Sequence, residues 1–550
     1  MEYKHKIQRE IEKALSEFSG KVTLEKPKLK EHGDISTNIA MILAKELKKN
    51  PLEIANDIGE KIKNIKGLIS RVEIAKPGFI NIFVDDYALA ESLAGVHKLE
   101  KNYGIETKKT KGKILIEFVS SNPTGDLHIG HGRQAVIGDA FAGILEASGH
   151  EVNREFYIND FGEQIAKLTE SAYAVYEKLN GKEVEWKEDF YPEEMILPYV
   201  KEVIAQNNPI EKNDLGTKVK DLILNEQKEL LSSFGVNFNI WFSETQLHKS
   251  DEVKKTLEEL KSKNYTYEKE GAIWFKSEEL GDTRDRVLVR SDKRPTYLLP
   301  DIAYHINKLR RGFDHLITIF GADHHGQEVS LKCGLRALGY DEKKLEIVLV
   351  QMVSLKQGSS EVKMSKRAGT VVLSRDVLKE VGSDAFRYFL MESHPNNRMV
   401  FDIDLAKKQD KDNPVFYIQY AHTRCCSIFR NLSYDADEIN KWKNEYSSDI
   451  DIYMNLFNVN NQEYKETKAL ILKILDFPEE IEIAAKTRSP GKIANYLKDL
   501  ATEFHQFYTV CRVLSDDVKL TKARLGIVLA TKITIANGLK ILGISAPESM

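Results

Sequence analysis

The chain has 550 residues, more than one ordinary core accommodates, so two to four domains are expected. A composition of 42% hydrophobic and 30% charged residues excludes a membrane-embedded or low-complexity chain, and no apolar run is long enough to span a bilayer. The 80 basic and 84 acidic residues give a net charge of -4, which does not advertise a nucleic-acid binder but leaves room for local basic patches.

The N-terminal stretch MEYKHKIQREIEKALSEF is charged every few residues, unlike a signal peptide. It reads as a surface helix with Ile7, Ile11, Leu15 and Phe18 on one stripe. Helical stripes continue to about residue 65. RVEIAKPGFINIFV then alternates as strands around a Pro77-Gly78 turn, so residues 1–105 are expected to form a small α+β unit. KNYGIETKKTKGK, charged and punctuated by glycine, is a candidate linker. The strand KILIEFVS, a loop, a helix and a second strand near EVNREFYI follow, the pattern of a βαβ unit in a parallel sheet. Residues 160–275 read as mostly polar helices inserted into this α/β domain, and the sheet resumes at HLITIF and LEIVLVQMVSL. From residue 376 the pattern is helical to the end. The expected architecture is multidomain α/β: an N-terminal unit over 1–105, a parallel-sheet domain over 106–375 and an all-α domain over 376–550. Cys333, Cys425, Cys426 and Cys511 form no CxxC pair, so neither a disulfide framework nor structural zinc is expected, and the cytoplasm is the default compartment.

The segment SNPTGDLHIGHGRQAVIGDAF at 121–141 places two histidines where turn residues give way to a helix pattern running from about residue 130 to 148, with Gly149 suited to its C-cap. Unpaired N–H groups and the positive end of the helix dipole suit phosphate at that position. His128 and His131 could add hydrogen bonds, and Gly130 and Gly132 would let a nucleotide lie close to the backbone. The alternatives are ordinary surface histidines in a loop and a metal half-site, the latter disfavoured because no partnering Cys/His pair has a suitable spacing. The residues alone indicate a phosphate site at the C-terminal edge of a parallel sheet. A second element, EVKMSKRAGTVVLSRD at 361–376, clusters Lys363, Lys366 and Arg367 in a loop of small residues. It is either solvated surface or a clamp for charge developing on a leaving pyrophosphate.

HIGH at 128–131 and KMSK at 363–366 resemble the two signatures of class I aminoacyl-tRNA synthetases. IEFVSSNPTGDLHIGHGRQAVIGDA, YINDFGEQ, YLLPDIAYH, GADHHGQ, NPVFYIQYAHTR and NGLKILGISAPESM narrow the resemblance to the arginyl-tRNA synthetase family. HGDISTNIAMILAK and KPGFINIF extend it through the N-terminal zone. The resemblance implies a Rossmann-type catalytic domain, an N-terminal domain that contacts the tRNA elbow and a C-terminal anticodon-binding domain. It also implies ATP-dependent activation of L-arginine, with magnesium accompanying ATP, and transfer of arginine to its tRNA by a monomer.

His128, His131, Lys363 and Lys366 would be catalytic on this resemblance. Gly125, Gly130, Gly321, Asp323 and Ser365 would join them around ATP. Glu117 and Asp301 would bind the guanidinium, Tyr297 would cover it, and Asn122 and Asp323 would lie near the α-amino group or the ribose. Without the resemblance, Glu117 reads as a strand-end surface charge and Asp301 as half of a helix salt bridge. Tyr417, Tyr420 and Arg424, at helical spacing, would stack anticodon bases, the alternative being core aromatics. DAFR at 384–387 departs from the family's DALR by Phe386, and His32 to Asn38 is the expected tRNA strip of the N-terminal unit.

Overall fold

The computed structural model describes the whole chain except residues 1, 16–19, 28, 64, 207–208, 323–325, 359, 363–371 and 433. The alternation in RVEIAKPGFINIFV does produce paired strands. β1 (Ile35–Thr37), β2 (Ile69–Ala75) and β3 (Phe79–Val84) form an antiparallel sheet in the order β1-β3-β2. β1, only three residues long, is too short for its periodicity to show in the sequence. The helix Glu2–Leu15 packs Tyr3, Ile7 and Ile11 into the core, while Phe18 lies outside the described residues.

The catalytic-type unit is built on β4 (Lys113–Glu117), β5 (Glu151–Ile158) and β6 (Ile240–Ser243). A separate antiparallel sheet of β7 (Thr266–Lys269), β8 (Ala272–Phe275) and β9 (Arg286–Val289) follows. Then come β10 (His315–Gly321) and β11 (Leu345–Val350). The five-stranded parallel sheet runs β11-β10-β4-β5-β6, so its strand order reverses between β4 and β10. That reversal opens a crevice at the carboxyl ends of those two strands.

Two sequence expectations need correction here. The stretch 160–275 is not wholly helical, because β6 supplies the edge strand of the main sheet. Its four residues, IWFS, carry too little pattern to be separated from neighbouring helices. Three helices, Glu163–Leu179, Glu193–Gln206 and Lys212–Ser233, do stand apart around their own core of Leu168, Val175, Val200 and Leu215. The second correction lies past residue 376. β12 (Val353–Gln357) pairs with β13 (Ser360–Val362) and, in parallel, with β14 (Met399–Asp402), so a strand interrupts the helical zone.

The candidate linker is also part of the packed structure. Tyr103 is buried and donates from its hydroxyl to the carbonyl of Ile474 at 2.9 Å, and Asn537 donates to the carbonyls of Glu100 and Tyr103. One apolar cluster runs from Ile7 through Ile137 to Leu539. The first and last parts of the chain are further pinned by Lys4, which bridges Asp476 at 2.8 Å. All four cysteines are buried free thiols, and among the described residues no helix is long and apolar enough to cross a membrane.

A buried arginine locks these parts around the helix Ile129–Ala147. Arg387 donates to Asp139 at 2.6 Å, to the carbonyl of Phe234 at 3.0 Å and twice to the carbonyl of Leu542. Its neighbour Phe386 fills the space beside Gly132, which explains how an aromatic ring is accepted at that position of the DAFR motif. Removing one member of a buried charged network typically costs ~3–5 kcal/mol. Arg387→Met is therefore expected to lower unfolding free energy by about that amount in a denaturant titration.

Candidate active site

The crevice at the carboxyl ends of β4 and β10 holds the two histidines. His128 is the N-cap of the helix Ile129–Ala147, with extended backbone (φ -80, ψ 167). Its Nδ1 accepts from the amides of Gly130 at 3.1 Å and His131 at 3.3 Å. The amide of Ile129 donates to the carbonyl of Val372, and that of Gly132 to the carbonyl of His128. All four opening amides are thus satisfied within the protein. A phosphate would not be cradled by bare backbone N–H groups, as the sequence suggested. It would meet the imidazoles and the positive end of the helix dipole. Because Nδ1 is an acceptor, the neutral His128 ring carries its proton on Nε2. The two rings stack with centroids 3.7 Å apart and planes 15° from parallel.

The glycines divide by role. A Cβ on Gly130 would stand 2.9 Å from the His128 ring, so Gly130 makes the imidazole cap possible. A Cβ on Gly132 would meet Ser374 at 2.7 Å and Phe386 at 2.9 Å, so packing, rather than nucleotide approach, requires glycine there. Gly125 accepts from Gln227 at 2.7 Å through its carbonyl in the loop ahead of the histidines. Gly321 is the last residue of β10, at the edge of the crevice.

Lys363, Ser365 and Lys366 lie outside the described residues, as does Asp323. Both stems of the lysine segment are described. β13 ends at Val362 on one side. On the other, Leu373 forms an antiparallel bridge with His128, and Ser374 donates to the carbonyl of His128 at 2.9 Å. The described residues that follow the segment, Leu373 and Ser374, are therefore fixed to the histidine turn. Arg133, fully buried, donates to the carbonyls of Gln351 at 2.8 Å and Asn397 at 2.9 Å, fastening the histidine helix to the entry of β12. Burial pushes its guanidinium down to about 10. Nothing in the sequence singled out Arg133, because its partners are carbonyls more than 200 residues away.

Glu117 and Asp301 meet in the same crevice. Glu117 ends β4 and is buried, which overturns the surface-charge alternative. Its carboxylate accepts from Lys308 at 2.5 Å and Ser120 at 2.9 Å. Val119 and Ser120 hold positive φ values of 70° and 43°, uncommon for non-glycine residues, in the turn that aims these groups. The register places Glu117 beside Glu155 on β5, and Glu155 is bound in turn by Arg311 at 2.5 Å and by the Tyr304 hydroxyl at 2.6 Å.

Asp301 sits one turn into the helix Leu298–Arg310, and among the described residues it forms no ion pair. Burial first, then the charges of Glu117 and Glu244, push its carboxyl up to about 7, against the opposing pull of Lys308. Tyr297 is the N-cap of the same helix and is 76% exposed. Asn122 donates to Gln164 at 2.6 Å beside the histidine loop. The sequence missed Lys308, Arg311 and Glu244. Lys308 had a usable signal: it lies seven residues after Asp301, two helical turns along one face.

A second constellation lies on the helix Pro414–Arg430. Tyr417, Tyr420 and Arg424 share one face, lining a cavity of about 360 Å³ with Lys411, Phe416 and His505. The Arg424 guanidinium stands 5.0 Å over the Tyr420 ring and 4.7 Å over Tyr508. Tyr417 packs partly against the core and against His505, with ring centroids 4.9 Å apart. Burial, and then Arg424, hold His505 down at about 4, so it is a neutral ring. The N-terminal strip fares worse. Ile35, Ser36 and Thr37 are buried in β1, and Asp34 is tied to Lys468 at 2.9 Å, so His32 to Asn38 does not form a continuous contact surface.

Comparison with known proteins agrees with this geometry along the whole chain. Residues 1–84 match the arginyl tRNA synthetase N-terminal domain, 95–422 the catalytic domain of class I (R) tRNA synthetases, and 418–550 the DALR anticodon binding domain. The chain is 43% identical to an arginine–tRNA ligase of Caldanaerobacter subterraneus, covering 96% of this chain and 94% of that one. It is 41% identical to an arginine–tRNA ligase of Staphylococcus epidermidis, covering 99% and 98%. The Thermus thermophilus arginyl-tRNA synthetase structure shares the fold with a TM-score of 0.77 at 22% identity, covering 99% and 100% of the two chains. With its histidine-capped helix at the sheet's switch point and matches at both ends and in the middle, the chain belongs to the arginyl-tRNA synthetase family.

Proposed function

We propose that this enzyme of the arginine–tRNA ligase family activates L-arginine at the β4–β10 crevice and passes it to tRNA(Arg) held by the helical C-terminal domain. In the first step a carboxylate oxygen of arginine attacks the α-phosphorus of ATP. The bond to the bridging oxygen breaks, giving arginyl-adenylate and pyrophosphate. In the second step a ribose hydroxyl of the terminal adenosine attacks the acyl carbon, and AMP leaves. The attacking carboxylate is already a nucleophile at neutral pH, so the first step needs in-line placement and charge stabilisation rather than a general base.

The observation that carries this reading is that Glu117 and Glu155 are matched by Lys308 and Arg311, while nearby Asp301 is a carboxylate that has no ion pair among the described residues. A guanidinium is a rigid fork of donors suited to it, and Glu117 offers a second acceptor alongside. Tyr297 would close over the guest. His128 and His131 would meet the ATP phosphates through the transition state, with Gly125, Gly130 and Gly321 shaping the nucleotide's bed. Lys363, Ser365 and Lys366 would approach the leaving pyrophosphate, brought in by the stem that bonds to His128. Asn122 and Asp323 would address the α-amino group or the ribose. Magnesium would arrive on the ATP phosphates, as part of the substrate. Tyr417, Tyr420 and Arg424 would receive anticodon bases, with the N-terminal unit at the tRNA elbow and a monomer in the cytoplasm as the working form. The bounds 1–105, 106–375 and 376–550 remain the working division, with β14 as the strand that pairs across the boundary at 375.

Arginine-dependent ATP–pyrophosphate exchange, with and without tRNA, tests the activity itself. Absence of exchange in both conditions would refute the arginine site.

His128 separates capping from chemistry. Asparagine is also a good N-cap, so His128→Asn should stay within ~0.5 kcal/mol of wild-type stability whereas His128→Ala loses about 1 kcal/mol. Both should lose exchange activity by about 10²–10³-fold, the scale of one missing electrostatic stabiliser. Equal exchange by wild type and His128→Asn would show that the ring is only a cap.

Asp301→Asn should raise the KM for arginine by the equivalent of ~1.5–3 kcal/mol, with the KM for ATP steady. Burial and the neighbouring carboxylates hold its carboxyl up at about 7, and a guanidinium would pair with the ionised form. Arginine binding near pH 7 should therefore release protons, and affinity should fall as pH drops below that value. Calorimetry in buffers of different ionisation enthalpy reads this directly; no buffer dependence would remove Asp301 from the site.

Tyr420→Ala should weaken tRNA in the charging reaction by ~1–3 kcal/mol, the scale of one lost stacking platform. Arginine affinity in the same variant should be unaltered, and a matching loss of arginine affinity would contradict the assignment.

A further inference from the structure

The guanidinium reading explains Asp301 but not Lys308, a buried lysine in a pocket meant for a cation. Lys308 is only 1% exposed. Its ammonium group reaches Glu117 at 2.5 Å, His305 Nε2 and Thr318 Oγ1 at 3.5 Å each, and stands 4.1 Å over the Tyr304 ring. His305 donates from Nδ1 to the Asp301 carbonyl and, pushed well below its usual range by burial and by Lys308, is a neutral ring that can accept at Nε2. Thr318 is the register partner of Glu117 on β10 and also donates to its carboxylate at 3.4 Å.

The arrangement repeats on the next strand. Glu117 and Glu155 are register neighbours on β4 and β5, and their cations, Lys308 and Arg311, come three residues apart from one helix end. Two like charges in register on adjacent parallel strands would repel, so each is matched by a cation from the end of the same helix. That helix also carries Asp301 two turns earlier. It therefore supplies the unmatched carboxylate and the cation that matches Glu117.

We propose that Lys308 is a positioning residue of the arginine site, holding the Glu117 carboxylate in one orientation and cancelling its charge so that the guest's single positive charge is answered by Asp301. This rests on the reading that Asp301 and Glu117 receive the guanidinium. Lys308 touches no substrate atom; it acts through Glu117. The consequence is geometric as well as electrostatic. One oxygen of Glu117 is bound by Lys308 and Thr318, and the other, held by Ser120, is the one that can turn to a guest.

The test is a double-mutant cycle on arginine KM, kcat and ATP KM in the charging reaction. Lys308→Met should raise arginine KM about tenfold or more, with ATP KM unchanged within about twofold. Lys308→Arg, which keeps a cation at the same place, should recover most of the loss. In a Glu117→Gln background, Lys308→Met should add less than about twofold, because its target is gone. Effects that multiply instead, or a Lys308→Met enzyme with unaltered arginine KM, would overturn the proposal. If Lys308→Met alone fails to fold, Glu117→Gln and the double variant still decide it, since replacing both partners of a buried pair is tolerated better than removing one. A further loss of arginine affinity in the double variant relative to Glu117→Gln would then reject it. Asp301→Asn, run in parallel, separates the two ideas. An unaltered arginine KM there sinks the arginine-site reading, whereas a loss there with additive Lys308 and Glu117 effects sinks only the role of Lys308.

Discussion

A parallel sheet whose strand order reverses must leave a gap where the reversal occurs. β4 and β10 are neighbours in the sheet, yet the chain after β4 leads to β5 on one side and the chain after β10 to β11 on the other. The histidine turn and Glu117 both lie at that gap. The chain leaving β4 enters the histidine turn. The chain leaving β10 enters the Gly321 loop. Glu117 itself is the last residue of a strand that points into it.

The crevice concentrates charge in a place where charge is expensive. Burying carboxylates without partners costs several kcal/mol each, so most of those present are matched within the fold. Glu117 has Lys308 and Glu155 has Arg311, at 2.5 Å each. Asp301 lacks such a cation among the described residues and bears the strain as a carboxyl that holds its proton up to about 7. A group so placed is a cost to the empty protein and a reason for selectivity, because a cationic side chain of the right shape relieves it and a neutral one does not.

The histidine side of the gap follows a different logic. The opening amides of the histidine helix are spent on the His128 ring and on the strand that returns from the lysine segment. The helix therefore presents imidazole rather than backbone. The same contacts couple the turn to its surroundings: Ser374 fixes the return of the lysine segment, and Arg133 fixes the entry of β12. Arg387 then ties the far side of the helix to the last residues of the chain. Movement of the helical C-terminal part would thus reach the histidine helix through packed and hydrogen-bonded groups, the physical continuity that coupling between distant sites requires.

What the sequence by itself determined is whatever depends on short range. The βαβ pattern, the histidine turn, the helix to Gly149 and the face shared by Tyr417, Tyr420 and Arg424 are set by periods of two or 3.6 residues and by local turn chemistry. Asp301 and Tyr297 were placed one helical turn apart for the same reason. Tertiary structure decided the rest. IWFS becomes an edge strand only because β5 offers it a partner, and IST becomes β1 only beside β3. Glu117 reads in sequence as a strand-end charge. Its burial, its ion pair with Lys308 and its neighbour Glu155 come from residues 191 and 38 positions away, which no local pattern encodes. That Asp301 has no ion pair among the described residues is likewise decided by tertiary structure, since a missing counter-charge can be recognised only once the charges around it have been placed.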